Sequence, residues 1–422
     1  MKKIFPAPIL RSRKNSVAFV FRILSLTFLL GTTISAAAPG EKSADANRWV
    51  GTWATAPQLV EPGNVPPAPG LSNNTLRQIV CVSIGGNRLR IRFSNEFSSN
   101  SVTMESVHIA ASLGGSAVDS LTDRVLMFEG RPRVTLPAYG VMTSDPFDFG
   151  LVPRMLVAVT IHFGDTTPDI TGHPGSRTTS YILPGDATAS AGFSGAIGTD
   201  HWYNINGIDV AAEDSAFAVV TLGNSITDGR GSGTNKQDRW PDELALRFQT
   251  NPEMRHIAVL NMGIGGNCIL RNCLGPAATS RFDRDVLSQN GAKWLIILEG
   301  INDIGGARGA EGSTAVAENL IAAYQAMIDS AHAKGLRVYG ATLLPFGGSF
   351  YDTPDHQSAW KRVNEWIKTS GRFDAVIDFD AALRDPSNPS HLLPSADSGD
   401  HLHPSETGHK MMGDAVDLML FK

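Results

Sequence analysis

Residues 216–229 read AFAVVTLGNSITDG: an apolar run without alternation, then Gly223 and Asn224, then Ser225 among small and turn-forming residues. A strand with one face in water alternates apolar and polar residues, whereas a strand covered on both faces does not. The same grammar returns in IAVL (257–260), WLIIL (294–298), LRVYGATLL (336–344) and AVIDF (375–379). Between these runs, residues 241–249, 314–334 and 356–369 place apolar side chains three and four apart, the period of amphipathic helices. Strand and helix in alternation predict an α/β fold over residues 214–422, a doubly wound parallel sheet in three αβα layers. Sites in such folds lie in loops at the carboxyl ends of the strands, where Ser225 stands.

Upstream the period changes to two. In NRLRIRFSN (87–95), Leu89, Ile91 and Phe93 alternate with Arg88, Arg90 and Arg92, the mark of a half-buried strand. Similar runs at 107–111, 131–136 and 155–163 are separated by Gly, Pro, Asn and Asp clusters. They predict an all-β, jelly-roll-like sandwich over residues 39–205. EPGNVPPAPG (61–70) is expected as a surface loop, and WYNINGIDVAAEDSA (202–216) lacks the composition of a free linker, so the halves are expected to pack together.

The first 38 residues carry Lys2, Lys3, Arg11, Arg13, Lys14 and Arg22, then an apolar stretch from Ile23 to Leu30, then Ser35 to Ala38. That order predicts an export signal over 1–38 and a secreted or periplasmic product. The apolar stretch is short of the ~20 residues of a membrane span, so no stable membrane insertion is expected after cleavage. A net charge of −5 with no later basic run argues against nucleic acid as a partner. Of three cysteines, Cys268 and Cys273 sit in GGNCILRNCLGP (265–276) and are expected to form a local disulfide in an oxidising compartment; Cys81, in IVCVSI, reads as a buried strand residue.

Ser225 alone is as consistent with a helix cap as with a nucleophile. A base is offered by GDHLHPSETGH (399–409), where Asp400 and His403 stand three residues apart. The carboxylate can hold one imidazole nitrogen while the other takes a proton from Ser225. The competing readings are a helix-capping Asp beside an exposed His, and a metal site of Asp400, His401, His403 and His409. Donors for a developing negative charge are offered by NMGIGGN (261–267), whose glycines allow close backbone approach, and by EGINDIGG (299–306), with the amide of Asn302. Taken singly, each of these is an ordinary turn.

Ser in a first-strand loop, Gly in a second, Asn in a third and Asp-x-x-His near the end follow the block order of the SGNH, or GDSL-like, hydrolase superfamily, which the chain resembles from about Ala216 to its C-terminus. WVGTWATAP (49–57), RFDRDVL (281–287) and GINDIG (300–305) are similar to an exported bacterial subgroup with an N-terminal β domain. The resemblance implies Ser225 as nucleophile, His403 and Asp400 as its partners, and an oxyanion hole from the N–H groups of Ser225 and Gly266 and the side chain of Asn302, with no cofactor and no metal. The block name comes from Gly-Asp-Ser-Leu; here it is Gly223, Asn224, Ser225, Ile226, which keeps a hydrogen-bonding side chain and loses a charge.

The implied activity is hydrolysis of O-acyl esters on a small molecule or polysaccharide, first of all O-acetyl groups on carbohydrate; Trp49, Trp53, Trp202 and Tyr203 of the β domain are available to stack on glycan, but aromatics in a sandwich are more often core, and core is the favoured reading of these four. A general short-chain arylesterase or lipase is the second reading, and a non-catalytic glycan-binding protein on the same fold the third. Covalent labelling of Ser225 by an organophosphonate separates the third from the others.

Overall fold

The run opening at Phe217 forms the strand Phe217–Gly223, which in a computed structural model pairs in parallel with Ile257–Gly263 on one side and Ala292–Leu298 on the other. Arg337–Ala341 and Ala375–Ile377 extend the sheet beyond Ala292–Leu298. Counted along the chain, the order is 2-1-3-4-5. The order reverses between the first and third strands, where the loops on the two sides diverge and open a crevice. Ser225 and Asn302 follow those two strands. Helices Trp240–Thr250 and Glu406–Ala415 pack on each other, as do Gly309–Ala333 and Pro354–Thr369, giving the αβα arrangement. The sheet interior is apolar throughout, with Val219, Val220, Leu222, Leu295, Ile296 and Val338 fully buried. This is why these runs do not alternate.

The structure describes residues 48–422; the export signal expected over 1–38 lies outside the described residues. From Arg48 to Ala212 the strands are antiparallel, in two larger sheets and a small one of Gln58–Leu59, Thr171–His173 and Trp202–Tyr203. Leu89, Ile91 and Phe93 in Gly86–Ser94 are all fully buried, while the arginines between them lie partly in water, as period two requires. The expected β sandwich is the form taken. Residues 61–70 form a partly exposed loop with one short 3₁₀ turn.

The antiparallel half lies directly on the parallel one. Arg48–Ala54 backs onto Ile257–Gly263, so closely that a Cβ on Gly51 would come 2.9 Å from Leu260. Polar contacts pin the seam: Gly51 N–H to Asn290 O (2.9 Å), Val259 N–H to Ser83 Oγ (3.1 Å) and Arg92 to Gln289 (2.9 Å). Buried side chains of both halves belong to a continuous apolar core. A hairpin of Arg384–Asp385 and Asn388–Leu392 is an addition that no pattern in the sequence announced.

Candidate active site

Beyond Gly223 the chain turns at Asn224, whose side-chain Oδ1 accepts the N–H of Ile226 (3.0 Å) and caps the short helix Ser225–Asp228. Asn224 therefore serves the turn by hydrogen bonding, which needs no charge. Ser225 is the first residue of that helix, where backbone N–H groups have no partner within the helix. Its Oγ lies 2.8 Å from His403 Nε2. The other ring nitrogen, Nδ1, lies 2.7 Å from Asp400 Oδ2. A carboxylate only accepts, so Nδ1 carries the hydrogen and Nε2 is left to accept from the serine hydroxyl.

Asp400 and His403 lie in the irregular segment before Glu406–Ala415 rather than on a helix. Their spacing works because Asp400 Oδ1 also accepts the N–H groups of Leu402 (3.1 Å) and His403 (2.9 Å), folding the segment around the carboxylate. Partial burial pushes the Asp400 carboxyl up, but those N–H groups and the His403 ring outweigh it and bring it down to about 2. Burial holds His403 below the ordinary imidazole range; Asp400 opposes this in part, and the positive charges of Arg230 and Arg177 add to the depression. Asp378 and Asp380, the other carboxylates at a strand end, are engaged elsewhere, by Thr342, Lys368 and Arg384.

The second and third loops meet across the crevice. Gly266 sits at φ +64°, a conformation that favours glycine, and a Cβ there would come within 2.8 Å of Leu274. Among the described residues no acceptor takes the N–H of Ser225 or of Gly266. Asn302 Nδ2 donates to Asn267 O (2.7 Å), which leaves its second hydrogen, and its Oδ1 accepts from Tyr351 Oη (3.1 Å). Asp303 accepts the N–H groups of Ile269 (2.8 Å) and Leu270 (3.1 Å), and Cys268 and Cys273 are joined by a disulfide, so the Gly266 and Asn302 loops are braced on one another. Beneath them Arg281, fully buried, donates to Gly223 O (3.1 Å), Met262 O (2.8 Å) and Asn267 Oδ1 (3.0 Å) and pairs with Asp285 (2.9 Å). One guanidinium thus ties the ends of the first two strands to the Gly266 loop.

The four residues of the metal reading do not converge. His401 turns outward to Asp397 (2.6 Å), and His409 is buried between Trp240 N–H and Arg230 O. Of the aromatic residues available to stack on glycan, three take the favoured core reading: Trp202 and Tyr203 are core, Trp202 donating to Ile79 O (3.0 Å), and Trp53 packs edge-on to Trp202. Trp49, partly exposed, lies under the guanidinium of Arg90. Cys81 is buried, as its apolar run implied. Three residues that touch the site went unremarked in the sequence: Tyr351, Asp228 and His173, the last from the antiparallel half. Asp228 had a signal, being polar in a turn that otherwise belongs to Ser225; a lone His and a lone Tyr had none.

The arrangement comprises a hydroxyl with its proton acceptor and a carboxylate that orients that acceptor, with the Asn302 amide bound to the loop that carries Gly266. A family model described as the GDSL-like Lipase/Acylhydrolase family matches residues 221–411. Among solved structures, the chain is similar to a G-D-S-L lipolytic-family structure from Desulfitobacterium hafniense (26% identity over 47% of this chain and 96% of the other, TM-score 0.37). It is also similar to an acetylxylan esterase from Geobacillus stearothermophilus (20%, 48% and 92%, 0.37). A GDSL-like lipase from Bacteroides thetaiotaomicron gives 19%, 47% and 84%, with a TM-score of 0.34. No protein with a curated description matches the chain.

Proposed function

The chain carries a domain of the GDSL-like lipase/acylhydrolase family, and from that premise we propose that it is an exported serine ester hydrolase that removes short O-acyl groups, acetyl above all, from carbohydrate. The observation that carries the proposal is the relay from Ser225 Oγ through His403 to Asp400, with steps of 2.8 and 2.7 Å. In the first half-reaction Ser225 Oγ attacks the ester carbonyl carbon as its proton passes to His403 Nε2. The oxyanion is received by the N–H groups of Ser225 and Gly266 and the free hydrogen of Asn302 Nδ2. Collapse breaks the bond to the alcohol, which leaves with the proton from Nε2. A water then repeats the sequence on the acyl-serine, and the carboxylic acid departs.

A polar setting supports the short-acyl reading. Arg177 and Arg230 place positive charge near His403, and Tyr351 bonds Asn302, polar surroundings that suit a short acyl group beside a hydroxylated alcohol. The Cys268–Cys273 bridge supports an oxidising compartment and hence export. Acetate release from acetylated xylo-oligosaccharides and from aryl acetates, measured side by side, tests the substrate. A higher kcat/KM on the sugar ester is expected, and a preference for the aryl ester would favour the general arylesterase reading.

Two consequences are measurable on either substrate. Removing one oxyanion donor costs about 10²–10³ in kcat, so Asn302→Ala should fall in that range with KM little changed. A change confined to KM would make Asn302 a binding residue instead. His403 must be neutral to accept the serine proton, and its conjugate acid is held below the ordinary value of about 6.5. The rate should therefore rise with pH through a midpoint on the acid side of that value. The acid limb of a kcat/KM profile reads it in the free enzyme.

A further inference from the structure

Asp228 closes the turn that Ser225 opens, and its carboxylate is held from the other half of the chain. His173 Nε2 lies 2.8 Å from Asp228 Oδ1, both side chains almost completely buried, while His173 Nδ1 lies 2.9 Å from Ala56 O. We propose that His173 is a positioning residue for the nucleophile: by holding Asp228 it fixes the turn that presents Ser225, so the antiparallel half takes part in turnover. The inference rests on the reading of Ser225 as nucleophile.

A four-residue helix cannot hold itself, since it fixes many dihedrals for few hydrogen bonds. Within this turn they are the N–H groups of Thr227 (3.0 Å) and Asp228 (2.8 Å) to Asn224 O, those of Gly229 (2.9 Å) and Arg230 (2.8 Å) to Ser225 O, and the Asn224 side-chain cap on Ile226 N–H (3.0 Å). The rest of its restraint comes from outside, on two sides. From the parallel half, Asn261 Nδ2 donates to Thr227 O (2.7 Å), and Gly263 lies so near that a Cβ would strike the Asp228 backbone. From the antiparallel half come His173 and Gly175, where a Cβ would overlap the Asp228 carboxylate. The imidazole is itself anchored at Ala56 and stacks on Trp202, with ring centroids 5.8 Å apart. Releasing Asp228 leaves the turn clamped on one side only. It can then rotate, carrying Ser225 Oγ away from His403 and the Ser225 N–H away from the oxyanion.

Hydrogen counting shows what the contact requires. The Ala56 carbonyl only accepts, so Nδ1 carries a hydrogen; the second bond then holds one further hydrogen between Nε2 and Oδ1. An amide in place of the carboxylate would donate to Nε2 and preserve the geometry.

Two amides overlay the two ring nitrogens separately. In His173→Gln the amide nitrogen falls near Nε2 and keeps Asp228; in His173→Asn it falls near Nδ1 and keeps only Ala56. Each variant loses one buried hydrogen bond, so a purely structural role would treat them alike. The full chain is assayed on an aryl acetate, with kcat expressed per site titrated by an organophosphonate. His173→Asn should lower kcat about 10- to 100-fold with KM within about twofold, as a misplacement of about 1 Å does. His173→Gln and Asp228→Asn should stay within about threefold of the native kcat. Equal kcat in the two His173 variants, or an Asp228→Asn as slow as His173→Asn, overturns the proposal. If His173→Asn does not fold, the pair His173→Leu with Asp228→Ala removes both partners of the contact together, leaving only the Ala56 carbonyl without its donor, and is read instead; a native kcat there overturns it equally. Ser225→Ala is run beside them. Activity in that variant would defeat the nucleophile reading itself, whereas an inert Ser225→Ala with a native His173→Asn defeats only the role of His173.

Discussion

Replacing Ser225 by alanine should lower kcat by at least about 10⁴-fold, because members of a triad act as a unit and the loss of the nucleophile removes the covalent route. Ser225 and His403 are 7% and 8% exposed, at the edge of the crevice rather than in the core, so neither substitution opens a large cavity. The variants should unfold at close to the native temperature. His403→Ala should cost as much as Ser225→Ala, and the double variant no more than either. Asp400→Asn should be milder yet severe, since the imidazole keeps a neighbour but loses the acceptor that sets its tautomer. Turnover by purified variants, together with stoichiometric labelling by an organophosphonate, checks the set. Full activity in Ser225→Ala, or labelling of that variant at another serine, would remove the triad from consideration.

Expressing residues 215–422 alone should give a product that aggregates or does not fold, with complete loss of activity. The seam is apolar where it matters: Val50 lies against Gly291 and Leu260 against Gly51, and Val50 and Leu260 both belong to the continuous core. Uncovering a large apolar side chain costs about 1.5–3 kcal/mol. A few such side chains match the whole stability of an ordinary domain, about 5–15 kcal/mol. The truncation also removes His173 and Gly175, which cover and hold the Asp228 carboxylate. Soluble yield and circular dichroism of the fragment decide the matter. A soluble, monomeric and fully active fragment would make residues 48–212 an independent module and would also be incompatible with a role for His173.

What could be read in the sequence were the features carried by neighbours along the chain. The non-alternating runs at 217–222 and 294–298 gave away a sheet covered on both faces, and Leu89, Ile91 and Phe93 a half-buried strand, because burial pattern has a period that short segments express. The candidate site was legible for a different reason. Its residues fall in strand-end loops whose order along the chain is distinctive, even though Ser225 and His403 are 178 positions apart. His173, Tyr351 and Arg281 were not legible in their roles, since each acts on a residue far along the chain or by a direction that no local pattern encodes. The β-domain aromatics stayed open between core and glycan contact for a related reason: a Trp between turn residues looks the same whether it faces water or, like Trp202, fills the floor beneath His173.

The shared core has a consequence for how the chain is born. A ribosome adds about 5–20 residues per second, so strands up to Ala212 emerge some 10–40 s before the last helix of the parallel half. Asp228 follows within about 1–3 s and Ile257–Gly263 within about 3–10 s at that rate, and until the rest of the parallel sheet folds behind them the surface destined for Ile257–Gly263 and the small sheet bearing His173 lack their settled partners. The nascent first half is thus sticky by construction.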